Sequence, residues 1–262
     1  MSDILLRTDA GGIATLTLNS SSNLNALSDA MLAALQAQFD ALATDTQTKV
    51  VILQGAGKVF CAGHDLKEMT RGRATEDAGR AYFHDLFSRC ANVMQSITRL
   101  PQPVIAKAHG IATAAGCQLV ATCDLAIAAQ GTRFGVNGVN IGLFCSTPMV
   151  ALTRNIPRKQ AFEMLTTGAF IDATRAADIG LINQAVEPNA LDGAVTEMAQ
   201  TLASKMNGVL GIGKKAFYEQ MQMPLADAYA YTGDVITANM MMRDTEEGIA
   251  AFLEKRPPDW PD

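Results

Sequence analysis

The sequence predicts an α/β fold followed by a helical module. Short apolar runs of strand length alternate with helix-length segments in the first part of the chain, whereas nearly every segment beyond Gly142 has a helical period. Such alternation is typical of a sheet with parallel strand pairs. The chain has 262 residues, of which 48% are hydrophobic and 18% are charged, so it can bury a sizeable core. We predict a sheet-bearing core over residues 1–190 and a helical oligomerisation module over residues 191–262.

The first part of the chain contains most of the predicted strands. A glycine turn at Gly11–Gly12 joins the first two, Ser28 has the residue type of an N-cap for the next helix, and prolines at 101 and 103 end a later one. Residues 55–65 form a glycine-rich loop in this interpretation, and residues 67–77 form a polar stretch. The predicted strands lie at residues 4–8, 13–18, 50–53, 104–106 and 125–128, and the predicted helices at 25–42, 78–100 and 114–122.

The second part of the chain is predicted to be helical with one interruption. Pro148 falls in the first turn of the first of these helices, for which Ser146 is the candidate N-cap. A single strand is predicted at residues 181–186. The predicted helices lie at residues 146–155, 158–166, 173–179, 191–206, 214–221, 225–242 and 245–255.

Composition and charge exclude several classes of protein. The formal net charge is −5, from 21 Lys and Arg against 26 Asp and Glu, so binding to nucleic acid that is dominated by electrostatic attraction is not expected. The five cysteines form no C-x-x-C pair and the three histidines lack metal-ligand spacing, so neither a disulfide framework nor a metal site is expected. No secretory signal and no membrane-length apolar run is visible. We therefore expect a soluble, cytoplasmic protein that binds no membrane.

A loop motif, Phe-Cys-Ala-Gly-His-Asp-Leu at residues 60–66, follows a predicted strand. It has two interpretations. In the first, Gly63 permits a tight turn between a strand and a helix. In the second, the turn presents a backbone N–H group to an anion.

A second motif of small residues, at 110–118, precedes an apolar helix. Small residues there allow a helix to pack closely against a sheet. They also leave the N-terminus of the helix open, so that its unpaired N–H groups and the positive end of its dipole can meet a ligand oxygen. Since both motifs follow short strands, together they are consistent with the two halves of one oxyanion hole.

These two motifs and three later segments resemble the enoyl-CoA hydratase/isomerase (crotonase) superfamily, and the likeness extends over nearly the whole chain. Within the superfamily, the motifs most resemble the subgroup of enoyl-CoA hydratase domain-containing protein 3. The matching runs are FCAGHDLKE at 60–68, HGIATAAGCQLVATCDLAIA at 109–128, GVNIGLFCSTP at 138–148, TTGAFIDATRAADIGLINQAV at 166–186 and EEGIAAFLEKRPP at 246–258.

The resemblance implies a fold, an assembly and a class of ligand. The fold is a crotonase (ClpP-like) spiral of ββα units with a C-terminal helical module, and the assembly is a homotrimer or a hexamer. Members of the superfamily bind acyl-CoA thioesters and stabilise an enolate with two backbone N–H groups. Coenzyme A is then part of the substrate, so no separate cofactor is expected.

The resemblance also assigns roles to individual residues. The two N–H donors fall at His64 and Ala115. Ala115 occupies the middle of a run that is usually three glycines in the family, and a backbone donor tolerates this change if its geometry accepts a Cβ. Residues implied to line the CoA site are Ala62, His64, Asp65, Leu66, Lys67 and Ala115, and candidates for phosphate contacts are Lys214, Lys215 and Lys255.

The chain departs from the family at its acid–base positions. The two glutamates of the hydratases fall at Gln118 and Gly138, and neither residue transfers a proton at neutral pH. A third position, which carries an aspartate in some isomerases, falls at Ser146, beside Cys145. The one acid between residues 108 and 153 is Asp124, for which a structural hydrogen bond is the simpler role.

Three functional hypotheses follow from these residues. The first is an acyl-CoA enzyme of the hydratase/isomerase family. The second is a crotonase-fold enzyme of another reaction type (a decarboxylase, isomerase or thioester hydrolase) that uses polar groups such as Gln118, Asn140, Cys145 or Ser146. The third is an acyl-CoA binder without catalytic activity.

Overall fold

A computed structural model describes residues 3–260 as alternating strands and helices that end in a run of helices. The strands are β1 (Leu5–Ala10), β2 (Ile13–Leu18), β3 (Val50–Gly55), β4 (Val104–Ala108), β5 (Ile111–Thr113), β6 (Leu125–Ala129), β7 (Arg133–Gly135), β8 (Ile171–Asp172) and β9 (Gln184–Val186). The helices are α1 (Asp29–Leu42), α2 (Leu66–Gly72), α3 (Arg80–Arg99), α4 (Ala115–Thr122), α5 (Ser146–Asn155), α6 (Arg158–Thr167), α7 (Ala173–Asp178), α8 (Leu191–Ala203), α9 (Asn207–Gln220), α10 (Leu225–Met240) and α11 (Arg243–Glu254).

The strands form two sheets whose order positions the loops of interest. The larger sheet has the order β1-β2-β3-β4-β6-β9, and the smaller one has the order β5-β7-β8. The pairs β1–β2 and β7–β8 are antiparallel, and the remaining pairs are parallel. The prediction of an α/β chain with parallel pairings is therefore confirmed, and the segments that leave β3 and β4 emerge at the same edge of the larger sheet.

Both faces of the larger sheet are covered. Along β3, Val51 and Leu53 point into the main core with α1, α3 and α4, whereas Val50 and Ile52 point to the opposite face. There they pack with α8, which buries Leu191 and other apolar residues on the sheet. Successive side chains of a strand alternate between faces, so a continuous apolar run suits a strand that is covered on both sides. The first helix of the segment 191–262 thus lies on the sheet, and the division at residue 190 stays a prediction.

The first helix was predicted over residues 25–42 but begins at Asp29, whereas its predicted N-cap, buried stripe and C-terminal end are confirmed. The Ser28 hydroxyl accepts a hydrogen bond from the Met31 N–H at 3.2 Å, which satisfies one of the unpaired donors at the start of α1. The buried stripe of this helix follows the helical period from Met31 to Leu42.

Three short strands and one helix differ from the prediction. Strands of two or three residues, such as β5, β7 and β8, carry no recognisable period, so the sequence pattern did not predict them. Helix α2 lies in the stretch predicted to be polar and irregular. The sequence does carry a signal for the start of this helix, because Asp65 and Glu68 have the spacing of a capping box. In the structure, the Asp65 carboxylate accepts from the N–H groups of Lys67 and Glu68.

The boundaries of the later elements also need correction. The strand predicted at 181–186 is shorter, because only Gln184–Val186 pairs with β6. The helix predicted at 214–221 begins at Asn207 and includes three glycines. Glycine weakens a helix interior, but tertiary packing overrides that preference: an added Cβ at Gly211 would lie 3.3 Å from the Pro101 Cβ.

The last helices expose many apolar side chains. Met241 and Phe252 are 83% and 82% exposed, and Leu225, Tyr229, Ile236 and Leu253 are exposed as well. Across the part of the chain that the structure describes, no helix has the length and apolar character needed to cross a membrane.

Candidate active site

The two motifs singled out in the sequence pack directly against each other. The Cys61 N–H donates to the Ile111 carbonyl at 3.1 Å, and the Thr113 N–H donates to the Cys61 carbonyl at the same distance. These bonds extend β5 by a parallel bridge between Cys61 and Ala112. The loop after β3 and the N-terminus of α4 are therefore held side by side.

The two motifs also approach each other closely at Gly63. Its φ is +89°, and an added Cβ would lie 3.0 Å from the Ala114 Cβ and 3.4 Å from the Ala115 nitrogen. The Gly63 carbonyl accepts from the Leu27 N–H at 2.7 Å, which fixes the orientation of the following peptide. Glycine is needed here both for its positive φ and for this contact.

The N–H groups of His64 and Ala115 are left unpaired by this arrangement. Within residues 3–260, neither group donates to a carbonyl oxygen. Ala115 is the first residue of α4, so its N–H belongs to the orphan donors at the positive end of the helix dipole. The two predicted donors thus lie on adjacent segments, because an added Cβ at Gly63 would be 3.4 Å from the Ala115 nitrogen.

Ala114, the residue before this donor, has a strained backbone. Its φ of 50° and ψ of −119° lie where glycine is strongly favoured. The conformation is held by the smaller sheet, because the Ala114 N–H donates to the Gly135 carbonyl at 2.9 Å and the Thr113 hydroxyl donates to the Asn137 side chain at 2.7 Å. Backbone strain of this kind concentrates at functional sites. Sequence analysis did not single out Ala114, although it is the first residue of the substituted glycine run.

The His64 side chain faces the protein rather than the space between the motifs. Its Nδ1 lies 3.3 Å from the Leu27 carbonyl oxygen, and its ring packs edge-on against Phe87 with the ring centroids 5.6 Å apart. Because a carbonyl oxygen only accepts, Nδ1 carries the proton, and the buried Nε2 has no partner in the described chain. Burial lowers the pKa of His64 below its ordinary value of 6.5, with the Leu27 carbonyl opposing that effect. The imidazole is therefore neutral at pH 7.

The rest of the predicted CoA loop is partly engaged in local structure. The Asp65 carboxylate caps α2 and accepts from Asn23 at 3.3 Å, so it is not free to bind a ligand. Leu66 and Lys67 are exposed, and the Ala62 N–H donates to the Leu24 carbonyl at 3.1 Å. Leu24 is exposed and has a positive φ of 58°. Leu24 and Leu66 thus add apolar surface beside this loop, and Leu24 was not foreseen.

Gln118 stands one helical turn after Ala115 on α4. Residues three apart share a face of a helix, so Gln118 lies on the same face of α4 as Ala115. The residue is 4% exposed. Its Oε1 is shielded from solvent and has no hydrogen-bond partner within residues 3–260. A neutral amide thus lies where the resemblance positions a glutamate.

The position of the second glutamate, Gly138, is closed to any side chain. An added Cβ would lie 2.3 Å from the Leu143 carbonyl oxygen and 2.9 Å from the Cys145 sulfur. Burial raises the pKa of the Cys145 thiol. Cys145 therefore stays protonated and fills space rather than acting as a nucleophile.

Ser146 does not have the role predicted for it in the helix. Cys145, not Ser146, is the N-cap residue of α5, and no side chain caps that end. The exposed Ser146 hydroxyl makes only a long contact of 3.4 Å with the Phe144 carbonyl. Its N-cap assignment is wrong because the helix begins one residue earlier than the cap pattern implied.

Asp124 is confirmed as a structural group, and it removes Lys214 from the candidate phosphate ligands. The Lys214 ammonium is buried, lies 2.6 Å from Asp124, and donates to the carbonyls of Ile97 and Gln102. The Tyr218 hydroxyl donates to the other Asp124 oxygen at 2.8 Å. Burial lowers the pKa of Lys214, and the charge of Asp124 opposes that effect. Lys214 is therefore unavailable to a ligand, whereas Lys215 and Lys255 are exposed.

The fold and the paired donors define a class of protein. A model of the family described as enoyl-CoA hydratase/isomerase matches residues 8–262, and the chain belongs to that family. The chain is 45% identical to human enoyl-CoA hydratase domain-containing protein 3, mitochondrial, over 249 residues, which cover 95% of this chain and 80% of the relative. The Xenopus laevis protein of the same name is 43% identical over 249 residues, covering 95% of this chain and 83% of its own length. The chain thus falls within that subgroup.

Solved structures agree with this assignment. A crystal structure of an enoyl-CoA hydratase from Mycobacterium smegmatis has a TM-score of 0.94 and 52% identity, covering 98% of both chains. That of human enoyl-CoA hydratase domain-containing protein 3 has a TM-score of 0.93 and 43% identity, covering 98% of this chain and 100% of the other. The predicted crotonase fold is confirmed. The prediction of a cytoplasmic protein is wrong, because the vertebrate relatives of the subgroup are named mitochondrial.

Proposed function

We propose that the protein binds acyl-CoA thioesters and stabilises the enolate of the thioester with the backbone N–H groups of His64 and Ala115. The observation that carries this proposal is the pairing of two unpaired donors across Gly63 at the N-terminus of α4. Donors that are already oriented cost little reorganisation when negative charge develops on the thioester oxygen. Their effect is strengthened by the positive end of the helix dipole.

The proposal excludes the usual two-carboxylate hydration. Gln118 is an amide, and the position of Gly138 accepts no side chain without a shift of the Leu143 backbone. The buried, protonated Cys145 thiol does not replace a carboxylate, and it does not support a thioesterase with a cysteine nucleophile. The reaction is therefore of a kind that needs enolate stabilisation more than proton relay.

The test combines binding with turnover. Butyryl-CoA should bind in calorimetry, whereas free butyrate should not, and hydration of crotonyl-CoA should be very slow or absent. Hydration at a typical enzyme rate of about 10 s⁻¹ would contradict the exclusion of acid–base chemistry. Absence of acyl-CoA binding would contradict the proposal itself.

A matched pair of glycine variants tests the oxyanion hole. Gly63→Ala should weaken butyryl-CoA binding, because its Cβ would push against Ala114 and displace the two donors. Gly131→Ala is the control, since Gly131 has a similar φ of +83° but no atom within 4 Å of an added Cβ. The two variants have comparable backbone strain, so only a specific loss of binding in Gly63→Ala supports the site.

We also propose that the exposed apolar surface of α10 and α11 is buried in a homotrimer or hexamer. Large exposed apolar patches commonly mark subunit interfaces, and these helices expose Leu225, Ile236 and Phe252. Light scattering at micromolar concentration should give at least three times the mass of the chain. A monomer would contradict this assembly.

A further inference from the structure

The backbone conformation of Ala114 decides where the neighbouring donor points. The Ala114 carbonyl and the Ala115 N–H belong to one planar peptide group, so the direction of this N–H is set by the ψ of Ala114, which is −119°. A φ of 50° with this ψ is strained for a residue with a Cβ, and such conformations persist only where the surrounding structure enforces them. If Ala114 relaxed toward an ordinary conformation, the Ala115 N–H would therefore turn out of its present direction.

The backbone pairing that enforces this conformation ends at Ala114. Strands β5 and β7 pair only along Ile111–Thr113 and Arg133–Gly135. Beyond this ladder, the Ala114 N–H makes one more bond, to the Gly135 carbonyl, and the Ala114 carbonyl accepts from the Gln118 N–H at 3.0 Å at the start of α4. The strained residue thus stands at the end of a very short ladder, and such ends open most easily.

One side-chain hydrogen bond extends the pairing past the end of this ladder. The Thr113 hydroxyl donates to the Asn137 side-chain oxygen at 2.7 Å, and it lies 3.2 Å from the Gly135 carbonyl oxygen. Thr113 is the last residue of β5, and Asn137 begins the short helical turn that follows β7. Both residues are half-buried, where a hydrogen bond is stronger than it is in water. This bond therefore fastens the residue that directly precedes Ala114.

The free energies involved are of similar size. One partly buried hydrogen bond contributes about as much as the strain at one residue costs, so its loss is enough to let the backbone relax. A glycine at position 114 would adopt the same conformation without strain, and the bond would then have nothing to oppose. The need for the bond thus depends on the Cβ of Ala114.

We propose that Thr113 and Asn137 are positioning residues. Their hydrogen bond holds Ala114 in its strained conformation and thereby keeps the Ala115 N–H directed toward a ligand oxygen. This inference rests on the proposed function, because the direction of this N–H matters only if a thioester oxygen binds there. The pair acts through the backbone, without contact with the ligand, and it is required only because residue 114 is not glycine.

The test measures how strongly the thioester carbonyl is polarised. A carbonyl that accepts hydrogen bonds has a weaker C=O bond, so its infrared band shifts to lower frequency. The band of butyryl-CoA, isotopically labelled at the carbonyl carbon, should shift in this direction when the ligand binds the wild-type protein. Thr113→Val keeps the shape of the side chain but removes the hydroxyl, and it should move the band back toward that of the free ligand, because only the His64 N–H stays aligned. Thr113→Ser keeps the hydroxyl and should keep the wild-type band.

Two further variants control for general effects. Asn137→Ala removes the acceptor of the same bond, so it should give the same band as Thr113→Val, and it replaces that variant if Thr113→Val does not fold. Thr17→Val removes the hydroxyl of another half-buried threonine, which accepts from the Gln54 side chain at 2.9 Å between β2 and β3. This control should keep the wild-type band.

The decisive measurement repeats Thr113→Val in the Ala114→Gly background. Glycine at position 114 needs no support, so adding Thr113→Val to Ala114→Gly should leave the band unchanged. If Thr113→Val alone keeps the wild-type band, or if it moves the band equally in both backgrounds, the positioning role is refuted while acyl-CoA binding stands. If the band is not shifted when the ligand binds the wild-type protein, the proposed oxyanion hole fails, and this inference fails with it.

Discussion

Replacing Ala114 with glycine should stabilise the protein, although glycine normally destabilises a folded chain. Ala114 has a φ of 50° and a ψ of −119°, a conformation that is open to glycine but strained for a residue with a Cβ. Such strain costs about 1–3 kcal/mol. Glycine also has more conformational freedom in the unfolded chain, which offsets about 0.4–1 kcal/mol of the stability gained by relieving the strain. The net expectation for Ala114→Gly is a gain of about 1 kcal/mol in the free energy of unfolding.

The neighbouring position provides the control. Ala115 is the first residue of α4 and is 1% exposed, so Ala115→Gly relieves no strain. It should lose up to about 1 kcal/mol of helix propensity together with the packing of a buried methyl group. The same chemical change at adjacent positions should therefore act in opposite directions.

Urea unfolding of both variants at one fixed protein concentration measures the difference. The concentration must be matched because assembly shifts apparent stability. In a thermal scan, 1 kcal/mol corresponds to about 2–4 °C in a chain of this size. If Ala114→Gly destabilises the protein as much as Ala115→Gly does, the backbone at 114 is not strained and the reasoning is refuted.

Three further predictions concern buried groups. Lys214→Met should lower the free energy of unfolding by about 3–5 kcal/mol in urea titrations, because it leaves Asp124 buried without its cation, whereas Lys215→Met next to it should change it by less than about 0.5 kcal/mol. Burial lowers the folded-state pKa of His64 below its ordinary value of 6.5. Between that lowered pKa and pH 6.5, the unfolded chain therefore binds more protons than the folded chain does. The free energy of unfolding should then rise with pH across that interval and be flat above it. His64→Gln should remove this rise. If the variant and the wild-type protein have identical pH profiles, the burial of the imidazole is contradicted. Gly138→Ala should destabilise the protein by about 1–3 kcal/mol, since its Cβ would meet a backbone oxygen at 2.3 Å, and a neutral result in urea unfolding would show that the surrounding loop is not rigid.

The sequence was most informative where the signal is local. Ser28 and the apolar stripe of α1 could be predicted because capping and helical period depend on neighbours a few residues apart. The region of α4 was likewise predictable from its apolar run. The pairing of the motif at 60–66 with α4 is suggested by two small-residue motifs that each follow a short strand, and the resemblance to a family supports it. No local pattern alone predicts which loops meet.

Other features depend on contacts that a sequence pattern does not carry. The resemblance makes Lys214 a candidate phosphate ligand, and a lysine on a helix gives no sign that it will be buried against Asp124, 90 residues away in sequence. The strain at Ala114 is imposed by pairing between β5 and β7, strands too short to have a period. The lack of space for a side chain at Gly138 is due to the Leu143 carbonyl oxygen, which the intervening loop brings close to it.

The charged groups around the paired donors are engaged elsewhere in the fold. Asp65 caps α2, Glu68 accepts from the backbone N–H of residue 29 at 2.8 Å, and the carboxylate of Asp29 is paired with Arg89. Burial keeps His64 neutral. The site therefore offers a ligand mainly neutral hydrogen-bonding groups, and each of these three carboxylates already has a partner, so none is free to oppose negative charge that develops on a ligand oxygen. Under the proposed function, such a site stabilises an enolate but moves protons poorly, so any proton that the reaction needs must come from water or from the substrate itself.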